Sequence, residues 1–336
     1  MKKDFIIYLT LAFLLIVLIN SGPALAQQKI VFGDLTWQSS EVHNRIAGFI
    51  IENGYGHEVD YMYGQTEPII TGLRGDDVDV VMEAWTHNWE DPYFEAIKEG
   101  EVIDLGSNYP PSPQGWYVPT YVIEGDEERD IEPMAPDLES VNDLNDYWEL
   151  FKHDSNDDKG RFYNGPVDWK VYDQNVEKLA GYGLDNNYES YNPGSQTALD
   201  TTVMDHYREG EPILFYYWEP TWLMGWGDFT KLEEPDYSEK VWEDNKACAF
   251  PDVKVNIAVD ASMPERFPRV TTFLANYETG MELNNEILNY IEDQEDMSPE
   301  EAAIWFLKEH EEVWHDWFRD VDEGIIEKVE DALEER

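Results

Sequence analysis

The sequence predicts an α/β protein built from two lobes that are joined by a two-segment hinge. From Lys29 onward, short β-branched or apolar runs alternate with amphipathic stretches, which is the pattern of an α/β fold. That alternation occurs in two successive sets. The chain has 336 residues, whereas a single core usually stops growing at roughly 250 to 300 residues.

The first set of elements predicts a βαβαβ unit. "KIVFGDL" predicts a strand, and the spacing of Val42, Ile46, Phe49 and Ile50 predicts a helix over 40–53 that ends at "NGYG". "HEVDYMYG" and "DVDVVMEAW" predict two further strands, and "EPIITGLRG" predicts a short helix between them. These elements form the first lobe.

The second set begins after "GWYVPTYVI" and predicts the second lobe. Helices are expected over 144–151, 170–181 and 198–207, with strands at "RFYNG", "YESYN" and "PILFYYW". The strand "VKVNIAVD" follows, and the chain is then helical to its end. We expect extended crossings near 119–122 and 253–259, so that 27–119 with 254–336 form lobe I and 120–253 form lobe II.

Residues 1–26 have the features of a secretory signal peptide. Lys2 and Lys3 precede an apolar run, and Ala24 and Ala26 fit a small-x-small cleavage site. An uncleaved membrane anchor is the alternative, although the run is shorter than the ~20 residues that a span prefers. We therefore expect export across the cytoplasmic membrane, with the protein periplasmic or associated with the cell surface.

The composition is extremely acidic. With 72 Asp and Glu against 23 Lys and Arg, the net charge is −49. Such a surface repels phosphate backbones, so nucleic acid is not an expected partner. In molar salt the screening length falls to about 3 Å and self-repulsion fades, which indicates a halophilic source.

The sequence lacks the motifs of several kinds of catalytic and cofactor-binding site. The chain has no phosphate-binding loop, nucleophile elbow or dinucleotide fingerprint, so no nucleotide cofactor is expected. His310 and His315 lie five positions apart, about 140° around a helix, and therefore do not predict a metal site. Pairs of carboxylates are too abundant to be informative, so a secreted carbohydrate-active enzyme that stacks sugars on tryptophan stays an alternative.

Four tryptophans follow predicted strands closely. Trp85 and Trp218 end strands, while Trp37 and Trp169 come a few residues after strands. Open α/β sheets bind ligands at the carboxyl ends of their strands. Because a ring face is negative at its centre, a group of such faces favours a cation that needs no hydrogen bonds, namely a quaternary ammonium.

The segments "EAWTHNW", "QGWYVPTYV", "NGPVDWKVY" and "FYYWEPTW" occur in that order after the signal peptide. Together they resemble the glycine betaine and choline substrate-binding proteins of ABC importers. The resemblance implies a bilobal periplasmic-binding-protein fold of type II topology, which closes over its ligand by hinge bending.

The resemblance also implies a set of ligand-binding residues. The cage would take Trp85 from the first lobe and Trp169 and Trp218 from the second. By position, the backbone amides of Lys170 and Val171 would bind a ligand carboxylate, and His87 would help to hold it. Trp37 and Tyr117 would be additional members of the cage.

The function that follows is capture without chemistry, so we expect no catalytic residue, no enzyme activity and no cofactor. The expected ligands are glycine betaine, proline betaine or choline, and the expected partner of the monomer is the membrane permease of an ABC transporter. A sensor module that binds the same ligand without a permease is a further alternative. Uptake of a compatible solute would provide osmoprotection in high salt.

Overall fold

The computed structural model describes residues 29–89, 91–153, 156–251, 253–294, 297–318 and 324–336. The predicted signal peptide, 1–26, lies outside these residues. Within the described ranges, every helix is too short or too polar to cross a bilayer.

The first sheet has five strands: β1 (Ile30–Asp34), β2 (Val59–Tyr63), β3 (Val80–Trp85), β4 (Val102–Ser112) and β11 (Val253–Asp260). Their order in the sheet is β2-β1-β3-β11-β4. Strands β1, β2 and β3 run parallel, and β11 pairs antiparallel with both β3 and β4. The strands predicted at "KIVFGDL", "HEVDYMYG", "DVDVVMEAW" and "VKVNIAVD" are confirmed.

The second sheet contains the strands β5 (Gln114–Pro119), β6 (Lys152–His153), β7 (Asn156–Tyr163), β8 (Tyr188–Tyr191), β9 (Leu214–Trp218) and β10 (Phe229–Lys231). Their order is β10-β5-β9-β7-β6, and β8 pairs with β7 beside this path. Strand β7 runs parallel to β8 and β9, while β5 is antiparallel to β9 and β10.

Helices connect the strands and form the C-terminal part of the chain. In the first half they are α1 (Gln38–Ile50, continued by a π-helical turn, Ile51–Tyr55), α2 (Thr66–Arg74), α3 (Thr86–Trp89), α4 (Asp91–Glu99), α5 (Thr120–Glu124) and α6 (Leu144–Tyr147). They continue with α7 (Lys170–Gly181), α8 (Gln196–Glu209), α9 (Trp222–Trp226), α10 (Glu239–Asp244), α11 (Met263–Arg266) and α12 (Pro268–Asn276). The last are α13 (Met281–Glu292), α14 (Pro299–Glu309), α15 (Glu311–Asp316) and α16 (Gly324–Glu334).

The central strands are buried along their whole length. Every residue of β3, "VVMEAW", and of β9, "LFYYW", is buried. Strands covered by other elements on both faces lose the usual alternation of polar and apolar residues. This explains the continuous apolar runs in the sequence, and it makes Glu83 in β3 an exception.

The connection between the sheets differs from the predicted crossing near 119–122. Strand β5 pairs with β9 in the second sheet, so the chain changes sheet between Ser112 and Gln114. The next segment, Thr120–Glu124, is helical rather than extended. The predicted boundary after residue 119 stays a proposal, and the sheet pairing favours a boundary on the other side of β5. Hydrogen-bonding partners of a strand are not encoded in its own pattern, which is why the sequence placed residues 114–119 in lobe I.

Candidate ligand site between the lobes

A small cavity of about 40 Å³ lies between the two lobes. Its lining is mostly aromatic and comes from both lobes: Trp37, Thr66, Trp85, Asn88, Trp89, Trp169, Lys170, Val171, Tyr216 and Trp218. Six of the positions predicted from sequence are therefore brought together, and their contact with a ligand stays a prediction.

The four predicted tryptophans reach the cavity because of where they stand in the fold. Trp85 is the last residue of β3 and Trp218 is the last residue of β9. Trp37 and Trp169 occupy the N-cap positions of α1 and α7, with extended backbones and no side-chain capping bond. Indole cannot accept a hydrogen bond from the helix as Ser or Asp would, so these caps give no helix-capping bond while both rings line the cavity.

Trp37 and Trp85 form the first-lobe wall, and their N–H groups converge on one carboxylate. Trp37 Nε1 donates to Glu83 Oε2 at 2.6 Å, and Trp85 Nε1 donates to the same oxygen at 3.2 Å. Glu83 is fully buried. Its carboxylate fixes two ring planes at once.

Trp169 and Trp218 form the second-lobe wall, which is held by packing of rings. Their centroids lie 4.8 Å apart with planes at 83°. Trp218 stacks on Tyr217 with centroids 4.6 Å apart, and at 6.1 Å on Tyr216. Across the cavity, the Trp169 ring meets the Trp37 ring edge-on at 6.0 Å. Such edge-to-face arrangements are the geometry that aromatic pairs prefer.

The start of α7 supplies the polar end of the cavity. Lys170 and Val171 are the first residues of this 12-residue helix, and both line the cavity. First-turn N–H groups have no partner within a helix and carry the positive end of its dipole. They therefore suit a carboxylate or another anionic oxygen of a ligand.

Hydrogen bonds cross between the lobes beside the cavity. Trp169 Nε1 donates to Thr36 Oγ1 at 2.9 Å, and Thr36 Oγ1 donates to Asp168 Oδ2 at 3.1 Å. The backbone N–H of Gln38 at the start of α1 donates to Gln196 Oε1 at 3.3 Å. The structure therefore represents the lobes in contact, and the five indoles that line the cavity are at most 8% exposed.

A second polar network forms the hinge side of the cavity. Tyr216 Oη donates to Gln114 Oε1 at 2.7 Å, and Gln114 Nε2 donates to Asn88 Oδ1 at 3.0 Å. Gln174 Nε2 in α7 donates to the Asn88 carbonyl at 3.2 Å. Gln114 is the first residue of β5, and it thus links Asn88 to Tyr216, which belong to different lobes.

Tyr117 and His87 lie away from the cavity lining. Tyr117 pairs in register with Phe215, one position from Tyr216, so its side chain points to the opposite face of the sheet. His87 faces a separate groove with Phe94, whose ring lies 5.6 Å from the imidazole. One helical turn directs Asn88 and Trp89 into the cavity and His87 out of it.

Other residues at the site were not predicted from sequence: Thr66, Glu83, Asn88, Trp89 and Tyr216. Glu83 alone had a usable signal, since a carboxylate in the middle of an apolar strand is costly unless it has partners. The remaining residues carried no local signal. Among the residues that the structure describes, no cluster of three or more His, Cys, Asp or Glu side chains could hold a metal ion.

Known proteins are similar to this chain in sequence. The family model for the substrate-binding domain of ABC-type glycine betaine transport systems matches residues 28–309. A trimethylamine N-oxide-binding protein of Pelagibacter ubique (strain HTCC1062) is 24% identical over 299 residues, which cover 88% of this chain and 92% of that protein.

Solved structures show the same fold. A glycine betaine/L-proline-binding protein of an ABC transporter from Borrelia burgdorferi is similar with a TM-score of 0.73 at 18% identity, covering 90% of this chain and 100% of that one. An ABC-transporter choline-binding protein in complex with choline has a TM-score of 0.73 at 20% identity, covering 91% and 98%. The predicted periplasmic-binding-protein fold is confirmed.

Proposed function

The chain belongs to the family of substrate-binding domains of ABC-type glycine betaine transport systems, and we propose that its cavity captures a small solute with a trimethylated nitrogen. The single observation that carries this proposal is the meeting of five indoles from two lobes around one cavity. The family is defined by a substrate-binding domain of a transport system, which favours solute capture over the carbohydrate-active alternative.

The chemistry of the cavity fits such a solute at both ends. A trimethylated nitrogen has diffuse positive charge and a methyl surface, which indole faces match at about 0.5 to 2 kcal/mol per contact. The N–H groups at the start of α7, at Lys170 and Val171, would take the negative oxygen of the same molecule. A zwitterion with both features would therefore be held in one orientation.

The ligand class is set by what several candidates share. Glycine betaine, proline betaine, choline and trimethylamine N-oxide each have a fully substituted nitrogen and an oxygen close to it. The similar proteins named above bind trimethylamine N-oxide, choline and glycine betaine or proline. We propose that the cavity recognises the methylated nitrogen that these ligands share.

Closure of the lobes would present one continuous surface to the permease of an ABC importer. The Thr36 hydroxyl accepts from Trp169 and donates to Asp168, so closure satisfies polar groups beside the bound solute. We further propose export by the leader at 1–26, action as a monomer outside the cytoplasmic membrane, and a role in osmoprotection in a salt-rich habitat.

The test is calorimetric titration of the purified protein in molar salt. The panel contains glycine betaine, proline betaine, choline, carnitine, trimethylamine N-oxide and neutral sugars. We expect saturable heat with at least one trimethylated solute and none with sugars. Heat with sugars alone would end the proposal.

A further inference from the structure

Glu83 is a buried carboxylate that lies directly behind the first-lobe wall. Its Oε2 accepts the N–H groups of Trp37 and Trp85 at 2.6 and 3.2 Å. Both indoles line the cavity, whereas Glu83 itself does not. The carboxylate therefore sits at the N–H edges of two rings that a ligand would contact, separated from the ligand by those rings.

Within the described part of the chain, no cation of the protein neutralises this carboxylate. Among the residues described, the one basic side chain close to it is His43, whose Nε2 lies 3.7 Å from Glu83 Oε1. That nitrogen is used by Asn284 Oδ1 at 2.6 Å, and the Asn284 amide donates to Thr279 and Gly280. The Asn284 oxygen is thus an acceptor, and His43 Nε2 must be its donor.

The other ring nitrogen of His43 lies 2.7 Å from the Tyr277 hydroxyl. Burial lowers the pKa of His43 to about 4, so the imidazole is neutral at neutral pH. The phenols of Tyr109 and Tyr277 also lie close to Glu83, and burial raises the pKa of both well above the usual value. Burial also raises the pKa of Glu83, and the hydrogen bonds from Trp37 and Trp85 oppose this rise because they favour the ionised form. Among the described residues no positive charge of the protein helps to stabilise that ionised form.

We propose that Glu83 is a positioning and specificity-determining residue, which fixes two indoles and selects a cationic methylated nitrogen over a neutral group of the same shape. This inference rests on the proposed function. Hydrogen bonds to an ionised acceptor are stronger than neutral ones, and they orient both rings through the N–H groups. A charge in a dry, low-dielectric site also acts on a nearby cation far more strongly than it would in water.

The bound solute would be the missing partner of this charge. A buried carboxylate without a cation is costly, and the cost falls when a positive charge arrives. Because the rings lie between the two charges, the ligand needs no hydrogen-bond donor. This separates Glu83 from the many surface carboxylates of the chain, whose attraction for cations is screened by salt.

The experiment compares pairs of ligands that differ only at the central atom. Choline is paired with 3,3-dimethylbutan-1-ol, and glycine betaine with 3,3-dimethylbutanoate, in which carbon replaces the charged nitrogen. Affinities are measured by calorimetry or by competition, for the wild type and for Glu83→Gln. The amide oxygen of Gln can still accept an indole N–H, so the variant removes mainly the charge.

We expect the wild type to prefer the cationic member of a pair, and Glu83→Gln to reduce that preference about tenfold, the scale of one interaction with a charged group. The matched control is Asp79→Asn, which neutralises a buried carboxylate next to the other end of the same strand, where it bonds to Arg266 and to the backbone N–H of Val31. The control should keep the wild-type preference.

Two outcomes would overturn the inference in distinguishable ways. If Glu83→Gln weakens the cationic and neutral members equally, Glu83 is only a structural support and the proposed function stands. If the wild type binds no trimethylated solute at all, both the proposed function and this inference fail.

A measurement on the wild type covers the case in which Glu83→Gln does not fold. The preference for the charged member is measured at low salt and in molar salt. We expect it to persist, because a buried charge is screened far less than a surface charge. A preference that disappears in molar salt would come from the acidic surface and would overturn the role of Glu83.

Discussion

The two walls of the cavity are built by different physical means. In the first lobe, Trp37 and Trp85 are tied through their N–H groups to one buried carboxylate within the same lobe. In the second lobe, Trp218 is held by stacking on Tyr217, and the N–H of Trp169 finds its acceptor, Thr36, on the other side of the cleft.

This difference indicates that one wall is complete by itself and the other is completed by closure. The bonds of the first-lobe wall do not depend on the position of the second lobe. The Trp169 N–H bond to Thr36 exists only when the lobes meet. We therefore expect the first lobe to select a positively charged ligand. We expect the second lobe to couple ligand binding to closure.

The largest expected effect is the loss of an indole from the packed wall. Trp218→Ala should weaken binding of glycine betaine more than tenfold, since a buried cation–π contact contributes about 2 kcal/mol. Calorimetric titration measures the change. The matched control is Trp226→Ala, which removes a 39% exposed indole outside the cavity and should leave affinity unchanged. Unchanged affinity in Trp218→Ala would contradict the assignment of Trp218 to the ligand-binding wall of the second lobe.

The second prediction concerns the carboxylate that supports the packed wall. Burial raises the pKa of Asp200 to about 7, against an ordinary value of 3.8, although a hydrogen bond from Tyr217 opposes the rise. Between these two values the folded protein binds a proton that the unfolded chain has lost. The contribution of Asp200 to stability is therefore complete below pH 3.8 and is lost as the pH rises through about 7.

Asp200→Asn removes this titration. Denaturant unfolding at constant salt should show that the free energy of unfolding of the wild type, relative to the variant, falls by on the order of 2 kcal/mol between about pH 5 and 7. Parallel pH profiles for the two proteins would show that Asp200 is ionised throughout. The second-lobe support would then be a charge, as in the first lobe.

The third prediction tests the coupling of the second wall to closure. Thr36→Val keeps the shape of the side chain and removes the hydroxyl that bonds to Trp169 and Asp168. We expect betaine affinity to fall about fivefold, the scale of one hydrogen bond, and small-angle scattering of the ligand-saturated variant to show a less compact particle. Thr272→Val, at an exposed helical position, is the control. Wild-type compaction in Thr36→Val would exclude this bond as a closure contact.

The smallest expected effects belong to the two predicted site residues that lie outside the cavity. Tyr117→Phe and His87→Ala should each change betaine affinity by less than about twofold, since neither side chain lines the cavity. Titration of both variants beside the wild type measures this. A loss of tenfold in either one would mean that the lining changes when ligand binds.

Much of the fold could be predicted because many helices and strands have a recognisable pattern in their own sequence. The helix at Lys170–Gly181 and the strands at Val80–Trp85 and Leu214–Trp218 each carry their own periodicity or apolar run. The helix expected over 144–151 is shorter, Leu144–Tyr147, because tertiary packing rather than local propensity decides where a weak helix ends. The sheet to which Gln114–Pro119 belongs depended on its pairing with β9, which no local pattern contains.

The candidate site was predicted unevenly for the same reason. Trp37, Trp85, Trp169 and Trp218 could be proposed from their places near strand ends and from a family resemblance. Asn88 and Trp89 follow one of those strands in a single helical turn, and the direction of each side chain there depends on how that turn packs.

By itself the sequence determined the α/β class, the strand ends at which the indoles stand and the excess of negative charge, because each is a property of neighbouring residues or of composition. Only the tertiary structure decided that Trp37 and Trp85 share the carboxylate of Glu83, that Thr36 completes the bonding of Trp169, and that Tyr117 points away. Those contacts join residues far apart in the chain. They follow from the order of strands in two sheets and from the closure of one lobe on the other, and neither is encoded within a single segment.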